Sequence, residues 1–98
     1  MTGGTEPTAT SVGSVTVRYW AAARAAAGVE CDVVAVGSGT TLADVLARVR
    51  ELHSDRFERV VAVCSVLVGD RPVGSADPSV VQVSPGDEVE LLPPFAGG

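Results

Sequence analysis

One stretch limits the possible folds more than any other: residues 42–53 are the only long run with a helical apolar period. Leu42, Val45, Leu46, Val49 and Leu52 stand at i, i+3, i+4, i+7 and i+10, so they form one stripe along one side of a helix. Thr41 is placed to cap its start, with Asp44 three residues on as the returning partner, and Asp44 can also pair with Arg48. Arg50 and His53, the single histidine, sit near the negative end of the helix dipole, where His53 reads as a surface residue. A helix with one apolar stripe must bury it against something. The other apolar residues are mostly valines in short runs, which build strands, so the pattern predicts an α+β domain in which one main helix covers one face of a sheet. With only Tyr19, Trp20, Phe57 and Phe95 as aromatics, the core must be valine, leucine and alanine.

Around that helix the chain alternates strand and turn signals. Met1 to Ser14 has no period and reads as a flexible arm, followed by a body over 15–92 and an extended tail over 93–98. Val15 to Trp20 alternates Val15, Val17 and Tyr19 against Thr16, Arg18 and Trp20, a strand with the first set facing inward. Ala21 to Ala27 predicts a short helix stopped by Gly28, and Glu30 to Val36 a second strand ended by a turn at Gly37-Ser38-Gly39. Residues 54–59 read as a helical turn or irregular chain anchored by Phe57, and Val60 to Val68 as a strand covered on both faces. Residues 69–72 read as a turn and 72–78 as loop or edge. Val80 to Val83 reads as a short strand and Ser84-Pro85-Gly86-Asp87 as a turn of type II character. Glu88 to Leu92 closes the sheet, with Glu88 and Glu90 on one face and Val89 and Leu91 on the other.

A net charge of −5 argues against nucleic-acid binding, which draws its affinity from cations placed on phosphates, and favours a basic partner. All seven cations are arginines; no lysine is present to accept an acyl group. No segment has the charge and apolar pattern of a membrane span or a secretory leader, which predicts a cytoplasmic protein. Cys31 and Cys64 are far apart and have only His53 as a further soft ligand, so a metal site is not expected and both thiols read as small core residues.

The last seven residues follow a different logic. After Leu92, Pro93 and Pro94 fix φ and remove two backbone donors, so the last strand ends there and the chain leaves extended. Phe95 offers one aromatic anchor to a partner. Ala96, Gly97 and Gly98 are thin enough to thread a narrow channel, and the Gly98 carboxylate is the group that an enzyme could surround and activate without a side chain in the way.

In this order of elements, and in Val17-Arg18-Tyr19-Trp20-Ala21-Ala22-Ala23-Arg24-Ala25-Ala26-Ala27-Gly28, Gly86-Asp87-Glu88-Val89 and Leu92-Pro93-Pro94-Phe95-Ala96-Gly97-Gly98, the chain resembles the MoaD family, the small subunit of molybdopterin synthase. The resemblance implies a ubiquitin-like β-grasp with the first and last strands parallel neighbours in the middle of a mixed sheet. It implies a sulfur carrier: Gly98 is adenylated with ATP and magnesium by a ubiquitin-activating-like enzyme, converted to a thiocarboxylate by a sulfur donor protein, and delivered to the large synthase subunit. There the sulfur passes to cyclic pyranopterin monophosphate. On this reading the chain binds no cofactor itself, Gly97 and Gly98 are the chemical end, and Leu92, Pro93, Pro94, Phe95 and Ala96 form the partner interface. Similar carriers serve thiamin or cysteine synthesis, and similar folds serve as protein modifiers; both remain alternatives.

Overall fold

Val15, Val17 and Tyr19 point to one side of the first strand and are all at most 1% exposed, which establishes from the outset which face of the sheet is covered. The computed structural model describes residues 11–94. Strand β1 (Ser11–Tyr19) leads into helix α1 (Ala21–Ala27), strand β2 (Cys31–Gly37), helix α2 (Leu42–Leu52) and helix α3 (Asp55–Val61). Then come β3 (Ser65–Val68), β4 (Arg71–Pro72), a 3-10 turn (Pro78–Val80) and β5 (Glu88–Leu92). The sheet order is β2-β1-β5-β3-β4. β1 and β5 run parallel, from Thr16 opposite Glu88 to Tyr19 opposite Leu91, while β1–β2 and β3–β5 are antiparallel. Parallel neighbours need a crossover, and the chain between them carries α2 over the covered face. This is the β-grasp arrangement that the resemblance implies.

α2 buries Leu42, Val45, Leu46 and Val49 against the inward valines and Leu91, as the stripe predicts. Thr41 Oγ1 accepts from the Asp44 N–H at 3.2 Å and Asp44 Oδ2 accepts from the Thr41 N–H at 3.0 Å, a complete capping box. Two expectations here are corrected. Leu52, the last of the stripe, is 44% exposed, because the helix ends at it and Phe57 of α3, fully buried, is the next apolar group in the core. Arg48 pairs with Glu51 at 3.2 Å rather than with Asp44, whose Oδ2 is held by the cap.

Other boundaries move for stated reasons. β1 starts at Ser11, four residues before the expected Val15, because Ser11 to Ser14 pair with Ala35–Gly37 although their side chains carry no apolar period. Gly13 belongs to that extension, since a Cβ there would lie 2.6 Å from the Pro85 Cβ. Residues 1–10 of the expected arm lie outside the described residues. The expected strand over 60–68 is divided: Val60 and Val61 finish α3, where Phe57 and Val61 share one buried side at i and i+4, and only Ser65–Val68 pair in the sheet. A run apolar on both faces suits either state, and packing selected the helix for its first part.

Val80 to Val83 is not a sheet strand. It lies along the start of α2, where the Val81 carbonyl accepts from the Leu42 N–H at 2.7 Å and the Val83 N–H donates to the Thr40 carbonyl at 3.1 Å. One of the helix's otherwise orphaned donors is thereby satisfied. The loop or edge expected at residue 72 is a two-residue edge strand, β4. The turn at 84–87 is as expected, with Gly86 at φ 91.

Candidate functional site

β5 places the exit of the chain. It is hydrogen-bonded on both sides, by β1 and by β3, so its register is held from two directions. Val89 and Leu91 are fully buried beneath it, whereas Glu88, Glu90 and Leu92 face the open side, as their alternation predicts. At the end of the strand Leu92 lies opposite Ser65, and the Leu91 carbonyl accepts from the Trp20 N–H at 3.3 Å. Leu92 and Pro93 are half-buried and Pro94 is exposed. The structure therefore brings three of the expected interface residues, Leu92, Pro93 and Pro94, to one exit at the end of the central strand. Phe95, Ala96, Gly97 and Gly98 lie outside the described residues.

The open face beside this exit carries its own polar network. Arg18 Nε and Nη2 donate to Glu88 Oε2 at 3.2 and 3.0 Å, which holds the guanidinium more firmly protonated than usual. Trp20 Nε1 donates to Glu90 Oε1 at 2.9 Å, and the indole is 41% exposed. Arg18 thus pairs with Glu88, while Glu90 accepts from the indole and adds to the negative charge around Arg18.

A second group was not foreseen from the sequence. Asp32 Oδ2 accepts from Tyr19 Oη at 2.6 Å and meets His53 Nε2 at 2.6 Å. The His53 ring also packs against Phe57 at 4.6 Å and edge-on to Tyr19 at 5.8 Å between centroids. His53 is therefore a half-buried packing residue joining the end of α2 to β1 and β2, not a free surface histidine. A signal was present: Asp32 shares the inward parity of Val34 and Val36, and an acid on a buried parity needs a donor. Burial, followed by the Asp32 hydrogen bond, pushes the Tyr19 phenol far above its usual range. Cys31 and Cys64 are both free and half-buried, and burial raises the Cys64 thiol, whose Sγ approaches the Val60 carbonyl at 3.3 Å. Among the described residues no group of three His, Cys, Asp or Glu side chains could hold a metal ion, and no helix is long and apolar enough to cross a membrane.

Comparison with known proteins gives this geometry its setting. The ThiS family model matches residues 17–98. The molybdopterin synthase sulfur carrier subunit of Chlamydomonas reinhardtii is 30% identical over 84 residues, covering 86% of this chain and 98% of the relative. The crystal structure of small archaeal modifier protein 1 from Haloferax volcanii superposes with a TM-score of 0.74 at 26% identity, covering 88% of this chain and 100% of that one. A complex of subunits 1 and 2 of the molybdopterin-converting factor from Helicobacter pylori contains the same fold, with a TM-score of 0.62 at 22% identity over 87% of this chain and 99% of that one. With a family match over most of its length, from within β1 through the last residue, and a curated relative matched nearly end to end, the chain belongs to the ThiS/MoaD family of ubiquitin-like β-grasp proteins.

Proposed function

We propose that this chain is the sulfur carrier subunit of a molybdopterin synthase, with the Gly98 carboxylate as the group that carries sulfur. The observation that supports it best is the position of β5, the strand locked between β1 and β3, which runs directly into Pro93-Pro94. A tail whose root is held by a central strand and followed by two prolines leaves the body from a fixed point. The likeness to the Chlamydomonas carrier subunit supports the pathway, and the Helicobacter complex supports a large synthase subunit as the partner.

The chemistry follows from leaving groups. A carboxylate oxygen of Gly98 attacks the α-phosphorus of ATP on the activating enzyme, with magnesium bound there, and pyrophosphate leaves. Hydrosulfide released by the donor protein then attacks the acyl carbon of the adenylate; AMP departs with the bonding pair, the S–H proton is lost and a thiocarboxylate remains. In the large subunit that soft anion attacks a carbon of cyclic pyranopterin monophosphate, which loses an oxygen leaving group, and water then cleaves the acyl–sulfur bond, leaving the sulfur on the pterin and restoring the Gly98 carboxylate. This chain contributes reach, a thin tail and a docking face made by Leu92, Pro93, Pro94, Phe95 and Ala96, while acid–base groups and nucleotide binding belong to its partners. Each of these steps takes place in the cytoplasm.

Removing Gly98 shortens the tail by about 3.3 to 3.6 Å, more than the roughly 1 Å misplacement that already costs 100-fold in rate. The truncated chain should unfold like the intact one yet fail to gain sulfur when given activating enzyme, ATP and a sulfur donor, as read by intact mass. Normal loading of the truncated chain would reject Gly98 as the carrier. The likeness to a small archaeal modifier favours one other reading, attachment of Gly98 to lysines of other proteins. That reading predicts isopeptide-linked ladders in place of a thiocarboxylate.

A further inference from the structure

The two edges of the sheet are treated differently. On one side β4 is two residues long and contains Pro72, and the Val66 carbonyl next to it accepts from the Val73 N–H at 2.9 Å, so that edge is short and covered. On the other side β2 is seven residues long and, among the described residues, pairs only with β1. The Tyr19 N–H donates to the Glu30 carbonyl at 2.9 Å, which sets the ladder: Asp32, Val34 and Val36 bond to β1, and the backbone groups of Cys31, Val33 and Ala35 point off the edge. At the end of the strand Thr40 Oγ1 accepts from the Gly37 N–H at 2.9 Å, which closes the row there.

Of the usual protections this edge has an inward-turned charge and an irregularity in its ladder with β1 at Ser11–Gly13, and it lacks the others. The strand has no lysine or proline, its single charge, Asp32, is turned inward to Tyr19 and His53, and Val33 is 65% exposed. Beside it a cleft of about 370 Å³ opens between β2 and α2, lined by Val33, Ala35, Val45, Asp44 and Arg48 among others.

We propose that the β2 edge and this cleft seat a second copy of the chain, β2 against β2 about a two-fold axis at Val33. An antiparallel pairing of that kind sets Val33 opposite Val33 and Cys31 opposite Ala35, so three unpaired residues from each copy satisfy one another and every side chain on the outer face is small and uncharged. The same rotation runs the two α2 helices antiparallel on one side of the joined sheet. Asp44, whose Oδ1 the cap does not use, and Arg48, one turn apart on the cleft wall, then each face the opposite charge of the other copy. Arg48 is free to make this exchange because its present partner, Glu51, is an exposed residue of its own helix. β5 is two strands in from this edge, so its Pro93-Pro94 exit stays open in the pair.

The contact is one strand and one helix side, below the roughly 1,200 Å² of stable complexes, so the association is weak. In sedimentation of the full chain, the average mass should rise toward that of a dimer between roughly 10 µM and 1 mM. Over the same range, hydrogen exchange at the Cys31, Val33 and Ala35 amides should slow, while Asp32, Val34 and Val36, protected in the monomer, should not change. Val33→Lys and Arg48→Glu, both at exposed positions, should each abolish the mass increase with unchanged circular dichroism. In an opposed pair the residue-33 Cα atoms lie about 5.5 Å apart, within disulfide range, so Val33→Cys should cross-link to itself on mild oxidation and Val63→Cys, equally exposed, should not. A monomer at every concentration, or association that Val33→Lys leaves intact, would overturn the proposal. So would exchange protection of the edge that appears only when the large synthase subunit is added, an outcome that assigns the edge to a foreign strand.

Discussion

Tyr19 carries its hydroxyl into the covered side of the sheet, and its protonation is part of what holds the fold. The folded phenol is pushed above its ordinary value of about 10 by burial first and by the bond to Asp32 second. Below that pH both states keep the proton and the contribution is complete; above it the unfolded chain ionises while the folded chain does not, so stability falls as pH rises. The slope for one proton is about 1.4 kcal/mol per pH unit. Cys64, raised by burial, acts in the same direction. Tyr19→Phe should remove the Tyr19 part of that alkaline slope while costing about 1 to 3 kcal/mol at neutral pH through the lost bond to Asp32. Denaturant titrations of both proteins between about pH 9 and 11 measure the difference, in which Cys64 cancels. Equal slopes would show that Tyr19 ionises in the folded state as it does in the unfolded one.

Helix α1 shows how an element can form despite a local penalty. Six of its seven residues are alanine, the strongest helix former, and Gly28 ends it at φ 79 with its N–H donating to the Arg24 carbonyl at 2.9 Å. Its first residue, Ala21, has φ 49, a left-handed conformation that an alanine Cβ disfavours by about 1 to 2 kcal/mol. The strained residue lets the chain turn directly from the end of β1, where Trp20 is extended, into a helix that buries Ala23. Glycine would relieve the strain but costs about 0.5 to 1 kcal/mol in unfolded-chain entropy. Ala21→Gly should therefore stabilise the protein by a few tenths to about 1 kcal/mol, visible as a higher denaturant midpoint with unchanged slope. A lower midpoint would mean that Ala21 is not strained in solution.

On the proposed function, the molecule as a whole divides its work between a body that folds and a tail that carries the chemistry. Among the described residues, the fifteen buried core residues fall between Val15 and Leu91, ahead of the prolines. On the proposed function, Phe95 anchors the tail in the large subunit, and its aromatic contact is spent on the partner instead of the body's core. Phe95→Ala should weaken binding to the large subunit by tenfold or more, on the order of 2 kcal/mol for a hot-spot aromatic, with no change in melting temperature. Calorimetry of the complex and thermal unfolding of the free chain measure the two quantities separately. A large drop in melting temperature with unchanged binding would place Phe95 in the core.

Residues 42–49 show how far local pattern reaches. The helix, its capping box and its buried side follow from i, i+3, i+4 spacing and two polar caps, all local, and the inward and outward sets of β1 and β5 follow from alternation in the same way. The Pro93-Pro94 break was equally local, because it depends on ring geometry alone. Local rules could not decide the state of Val60 and Val61, since a run apolar on both sides fits helix or strand until Phe57 finds its place in the core. The sequence held no local account of why 80–83 lies along α2, which depends on a helix donor forty residues away in the chain. Tertiary structure likewise decided that His53 is enclosed, that Arg18 pairs with Glu88, and that β2 is left as the open edge. Each of these joins residues distant in sequence through one side chain or one edge, and a single contact of that kind leaves no period along the chain.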